Sequence, residues 1–184
     1  GISAKTLRSI VDKTAADTDG GKTVKISYNS LDAAVGKSSL ARVKLTFNAA
    51  LLRADENITF VVETPMGSLI FTTKQMLDWF DGGFGSYALS LEKGGLILGI
   101  KKGSQSIRWD QSTPMLRIGV PYTLKAGESA ANIAVADKNG RVLPTSVYKS
   151  GMVYADIYAP GTYQAVVLPP KLHGVPAQKT TNNL

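Results

Sequence analysis

Two short runs of oxygen-bearing residues ahead of glycine are the first chemically suggestive pattern in the chain. Asp17 and Asp19 precede Gly20 and Gly21, and Asp137 and Asn139 precede Gly140. Ligands alternating in this way are what a short calcium loop uses, so calcium is the cation these positions would take. Neither run continues to the glutamate that closes an EF-hand, and both stand where a helix stop or hairpin turn is needed in any case. A transition-metal centre is not expected, because the chain has no cysteine and His173 is its one histidine. The same scarcity argues against catalysis. A Ser-His-Asp triad would have to recruit His173, and Gly83-Phe84-Gly85-Ser86 follows a predicted helix where a nucleophile elbow follows a strand. Glu63 and Glu92 end two predicted strands and are the pair a glycosidase reading would use, although glutamates at strand ends are ordinarily just solvated.

Carbohydrate binding is the sharper positive chemistry, since sugar faces stack on exposed aromatic rings. Trp109, Trp79, Tyr154 and Tyr158 are the candidate contacts, and Arg108, Asp110 and Gln111 give Trp109 a polar rim. Trp79 falls on a predicted helix, and Tyr154 and Tyr158 alternate with apolar residues along a predicted strand, where packing explains them equally well.

These residues must be carried by a sizeable core, and 184 residues with 43% hydrophobic content supply one. The apolar runs are strand-length, so no membrane span is expected. The formal charge of +7 favours anionic partners. Its lysines and arginines are scattered, with Lys101, Lys102 and Arg108 the densest group, and no recognition helix or RNP-like pattern accompanies them, so specific nucleic-acid binding is not expected. The absence of cysteine suits an exported protein of a cell wall that does without oxidative stapling. The opening GISAKTLRSIV lacks a signal-peptide pattern, so a processed or excised stretch is expected.

The first segment reads as an amphipathic helix. Ser3 is its cap, Ile2 and Leu7 stand at staple spacing, and Leu7, Ile10, Val11, Thr14 and Ala15 share a face. A period of two follows at Val24-Ile26-Tyr28 and Val43-Leu45-Phe47, with a Gly/Ser/Ala-rich loop from 29 to 40 between them. Residues 43–63 and 68–92 then spell one pattern twice: a strand, a polar cap, a short helix (48–53 and 73–80) and a second strand. Thr64-Pro65-Met66-Gly67 is a hairpin signal between the copies, and Asn139-Gly140 is a stronger one later. The expected fold is α+β and mainly antiparallel: an N-terminal helix, a repeated strand-helix-strand unit within a subdomain 1–94, a β-meander or sandwich-like subdomain 95–168, and a tail or linker 169–184.

The run LRIGVPYTLKAGESAANIAVADKNGRVLPTSVYKSGMVYADIYAPGTYQAVV resembles the β-rich domains of bacterial cell-surface proteins that carry S-layer homology modules. In those domains a Pro-Tyr strand end leads to a Lys-x-Gly-Glu loop, an Asn-Ile-x-Val strand, an Asx-Gly hairpin and a closing aromatic strand. ITFVVETPMGSLIFTTKQML is similar to the family's strand, turn, strand and short helix, and the likeness runs from about residue 24 to 168. The chain has Pro160-Gly161-Thr162-Tyr163 where the family closes on Phe-Ser-x-Tyr, and no S-layer homology module is present in it. The resemblance implies an extracellular, non-catalytic structural, spacer or self-assembly module. Its partners would be other copies, neighbouring domains or anionic wall polymers. A polysaccharide-binding module is the alternative reading, and a fragment of a wall-glycan hydrolase a second.

Overall fold

Ser3 caps the first helix, α1 (Ala4–Lys13): its hydroxyl accepts the Thr6 N–H at 3.2 Å, pairing one of the amides that a helix start leaves without a partner. Leu7 and Val11 are fully buried and Ile10 packs beside them, which is the stripe that the helical period requires. The computed structural model describes residues 3–27, 42–48, 52–53, 55–64, 66–80, 84–92, 95–102, 104–106 and 113–169.

Among the described residues the strands are β1 (Lys22–Ser27), β2 (Arg42–Asn48), β3 (Ile58–Thr64), β4 (Gly67–Thr72), β5 (Phe84–Glu92), β6 (Gly95–Lys102), β7 (Gln105–Ser106), β8 (Leu116–Pro121), β9 (Ile133–Asp137), β10 (Val147–Lys149), β11 (Met152–Ile157) and β12 (Gly161–Val167). They form two sheets. The first runs β1-β3-β4-β8-β11-β10, and the second β2-β5-β6-β12-β9 with β7 paired to β6. β1 lies parallel to β3, with Lys22 opposite Ile58, while the other strand pairs are antiparallel. The chain is therefore β-rich, with mixed and antiparallel sheets and few helices.

Alternation decides which face each strand buries. On β3 the inward residues are Ile58, Phe60 and Val62, and on β11 they are Val153, Ala155 and Ile157. One buried cluster joins the sheets, with Leu69, Phe71 and Ile118 from the first and Leu96, Leu98 and Val135 from the second. Phe60 and Phe71 face each other in register and stack at 5.6 Å, and each such ring contributes roughly 1.5–3 kcal/mol by burial. Helix α2 (Thr73–Phe80) leaves β4 through a reciprocal cap. The Thr72 hydroxyl accepts the Gln75 N–H at 3.1 Å, and Gln75 Oε1 accepts the Thr72 N–H at 3.0 Å.

Some expectations need correction. The meander over 95–168 is interrupted, because β11 pairs with β8 and β10 in the first sheet whereas β12 pairs with β6 and β9 in the second. The bend Tyr158–Pro160 lies between β11 and β12, so the inward rows of the two strands, Val153 and Ile157 on one and Tyr163 on the other, enter the shared core from different sheets. The mainly antiparallel pairing that was expected holds, with the parallel β1–β3 pair making the first sheet mixed. The expected division at residues 94 and 95 falls between β5 and β6, which pair from Ser86↔Lys101 to Glu92↔Gly95. Asn48, expected to open a short helix, is the last residue of β2; residues 49–51 of that helix, the loop 29–40 and the tail beyond Pro169 lie outside the described residues.

Candidate functional site

β11 sets the site. Its inward residues are buried, so Tyr154, Asp156 and, just beyond the strand, Tyr158 follow one another on the outward side. Tyr154 lies across Gly119 of β8, its register partner, where a Cβ would come within 2.9 Å of the ring. It lines a groove of about 380 Å³ with Ile70, Arg117, Val147, Lys149 and Ser150. Asp156 pairs with Arg117 in register, and Asp156 Oδ1 accepts from Arg117 Nη1 at 3.0 Å. Arg117 Nη2 also donates to the Thr145 carbonyl at 3.3 Å, which ties the segment after the Asp137 turn to β8 and β11.

Tyr158 is 41% exposed and lines a separate cleft of about 360 Å³. Its polar walls are Asp137, Arg141, Thr145 and Asp156, and its apolar walls include Leu143, Pro144 and Tyr163. The Asp137 turn owes its shape to the carboxylate. Oδ1 accepts the N–H groups of Asn139 at 2.9 Å and Arg141 at 3.0 Å, the Asp137 N–H donates back to the Arg141 carbonyl, and Gly140 supplies the positive φ of +80°. Buried Tyr163 donates to the Ala159 carbonyl at 2.5 Å. Burial, and then the nearby Asp137 charge, push its phenol up to about 12. It serves as a fixed neutral wall.

The structure thus brings Tyr158 and Asp137, singled out for different chemistries, to one cleft, and leaves Tyr154 in a neighbouring groove. Asn139 lines a further depression of about 250 Å³ that shares Asp137, Ala159 and Tyr163 with the cleft. Asp17 and Asp19 lie elsewhere, in the turn between α1 and β1. There Asp17 Oδ2 accepts the Thr23 hydroxyl at 2.7 Å and Asp19 Oδ1 accepts the Gly21 N–H at 2.8 Å. Among the described residues no three His, Cys, Asp or Glu side chains stand together as a metal cage. Trp79 is carried by α2, whereas Trp109 and His173 lie outside the described residues. Glu63 and Glu92 sit in different sheets, and Glu63 pairs with Lys25 at 3.3 Å. Sequence reasoning missed Asp156, Arg117, Arg141 and Thr145. The two-residue spacing of Tyr154, Asp156 and Tyr158 was the available signal for the first; the others join through pairing that no local pattern carries. No helix among the described residues is long and apolar enough to cross a membrane.

No protein-family model, curated protein or solved structure matches the chain.

Proposed function

We propose that this chain is a non-catalytic structural or assembly module of an exported bacterial surface protein of the S-layer type. It would work as a spacer that contacts other copies, neighbouring domains or anionic wall polymers. The observation that carries this reading is the end of the first sheet. β10 pairs with β11 on one side and with no described strand on the other, and Val147 on it is 53% exposed beside the Tyr154 groove. A strand edge with an apolar side chain attracts another strand, and Lys149 on the same edge discourages indiscriminate pairing. The net charge of +7 gives a general attraction to polyanions.

The finer architecture in this reading is sandwich-like, with 43–63 and 68–92 as related units. In its support, β2 pairs with β5 as β3 pairs with β4, so exchanging the two stretches exchanges the two pairings. Light scattering across a concentration series tests the assembly reading. The full chain should associate as concentration rises, and Val147→Lys and a chain ending at residue 170 should each associate less. A chain that stays monomeric at every concentration, and that is not retained on wall polymers, would remove it.

A further inference from the structure

We propose that the cleft walled by Tyr158, Asp137 and Asp156 binds a neutral, hydroxyl-rich glycan. The inference goes beyond the assembly reading and does not depend on it.

Three features converge there. The first is a ring free to stack. Tyr158 stands just past the end of β11, 41% exposed and on the cleft wall, so its ring offers accessible apolar surface to the flat C–H side of a sugar. The second is a pair of acceptors held in advance. Asp137 Oδ1 is tied by two backbone amides and Asp156 Oδ1 by Arg117, while among the described residues the second oxygen of each takes no hydrogen bond. A carboxylate fixed by one oxygen offers the other at no further cost in ordering. Hydroxyl donation to a carboxylate is among the stronger hydrogen bonds, and the Arg141 guanidinium supplies donors for ring and hydroxyl oxygens. The third is size. About 360 Å³ lies near the lower end of the roughly 300–1,000 Å³ usual for small-ligand sites, which suits sugar rings better than a large cofactor.

Local charge selects the ligand class. The chain as a whole is basic, but at this cleft the guanidiniums of Arg141 on its wall and of Arg117, bound to Asp156, are balanced by the two carboxylates. No surplus of positive charge is left to hold an anionic sugar, and a uronate or phosphate placed against the uncommitted oxygens of Asp137 and Asp156 would meet like charge, where a neutral sugar offers hydroxyl donors. Length follows from the adjoining depression. It shares Asp137, Ala159 and Tyr163 with the cleft and continues along Pro160, Gly161 and Thr162, so a ligand bound at Tyr158 has a path past Asp137 for a further residue.

Titration calorimetry with the full chain tests this, using neutral β-gluco- and manno-oligosaccharides of one to four residues and an oligogalacturonate of four. The expected result is binding of at least one neutral tetraose, about tenfold or more tighter than its monosaccharide and than the oligogalacturonate. Tyr158→Ala and Asp137→Asn should each weaken it by about tenfold. Tyr154→Ala, in the neighbouring groove, should leave it unchanged. Thermal unfolding of each variant separates loss of binding from loss of fold, and the exposed Tyr158 position keeps at least one variant folded. No binding to any neutral oligosaccharide, tighter binding of the galacturonate, or affinity indifferent to Tyr158→Ala would overturn the proposal. So would stabilisation by calcium alone, with no glycan heat.

Discussion

Two turns in this molecule are held by the same device and put to different ends. At the β3–β4 turn the Thr64 hydroxyl accepts the N–H groups of Met66 and Gly67, both at 3.2 Å, and donates to the Gly67 carbonyl at 2.8 Å. At the β9 turn the Asp137 carboxylate accepts the N–H groups of Asn139 and Arg141. Thr64 is 4% exposed, and its hydroxyl has no capacity left over. Asp137 is half-buried at a cleft, and its second oxygen is uncommitted among the described residues. A side chain that closes a turn is structural when burial uses every valence it has. It becomes available for recognition when the turn opens on a cleft and one atom stays over.

The glycines of the two turns give the largest expected contrast. A Cβ on Gly67 would sit 2.6 Å from the Gly119 carbonyl oxygen and 2.7 Å from a Leu96 methyl, whereas nothing lies within 4 Å of the corresponding point at Gly140. Gly67→Ala should therefore destabilise by about 3 kcal/mol through overpacking against backbone. Gly140→Ala should cost about 1 kcal/mol, from the left-handed backbone alone. Urea unfolding of the two variants measures both, and equal losses would dissolve the distinction between the turns.

Next in size are the staples themselves. Thr64→Val keeps the shape and removes the oxygen, leaving the Met66 and Gly67 amides buried without their acceptor, a loss of about 2 kcal/mol. Asp137→Ala leaves its amides exposed enough for water to replace the carboxylate, so about 1 kcal/mol is expected. The same urea series checks this order.

How much of this could be read from the chain follows the range of the forces. Ser3, the polar cap ahead of the helix at 73, the Thr64–Gly67 turn and the Asp137–Gly140 turn were legible because each is closed by atoms within four residues of one another. Period two also placed Tyr154 and Tyr158 on one side of the chain, although β11 ends at Ile157 and Tyr158 stands just past it. What period two cannot carry is the sheet a strand joins. β11 and β12 both read as strands, and only the shared core assigns them to different sheets. The parallel β1–β3 pair was hidden for the same reason, as was the bond from Arg117 to Asp156, 39 positions apart. The cleft depends on that long-range layer. Its tyrosine and its turn were visible in the sequence, and their meeting was not.

Tyr163 sharpens the contrast between the cleft wall and its open rim. Its phenol is raised by burial first and by Asp137 second, to about 12. A raised folded value means that this stability is present below the unfolded phenol range, about 10, and is lost as pH climbs from there through 12. Tyr163→Phe should flatten the loss of stability on the alkaline side, read from thermal midpoints between pH 9 and 12. Tyr158→Phe, at the exposed rim, should leave that slope alone.

The smallest effect belongs to a third stapled turn, which tests whether exposure alone decides the outcome. After β8, Glu128 Oε1 accepts the Tyr122 hydroxyl at 2.6 Å and the Lys125 N–H at 2.8 Å. The Tyr122 ring meets Tyr148 edge-on, and Tyr148 in turn donates to the Tyr122 carbonyl at 2.9 Å. The phenol bond first, then the Lys125 amide, hold the Glu128 carboxyl below its ordinary range. A depressed folded value means that the contribution is present above the unfolded carboxyl range, near 4.3, and fades as pH falls through the folded value. Glu128→Gln keeps an acceptor oxygen for Lys125 but removes the charge. The variant should be slightly less stable than the parent at pH 7, and the two should converge as the pH drops toward 3. Thermal midpoints between pH 3 and 7 follow that convergence. Parallel curves would mean that solvent screens this exposed staple completely. The uncommitted oxygen of Asp137 would then owe its proposed value to the walls of its cleft rather than to the turn that holds it.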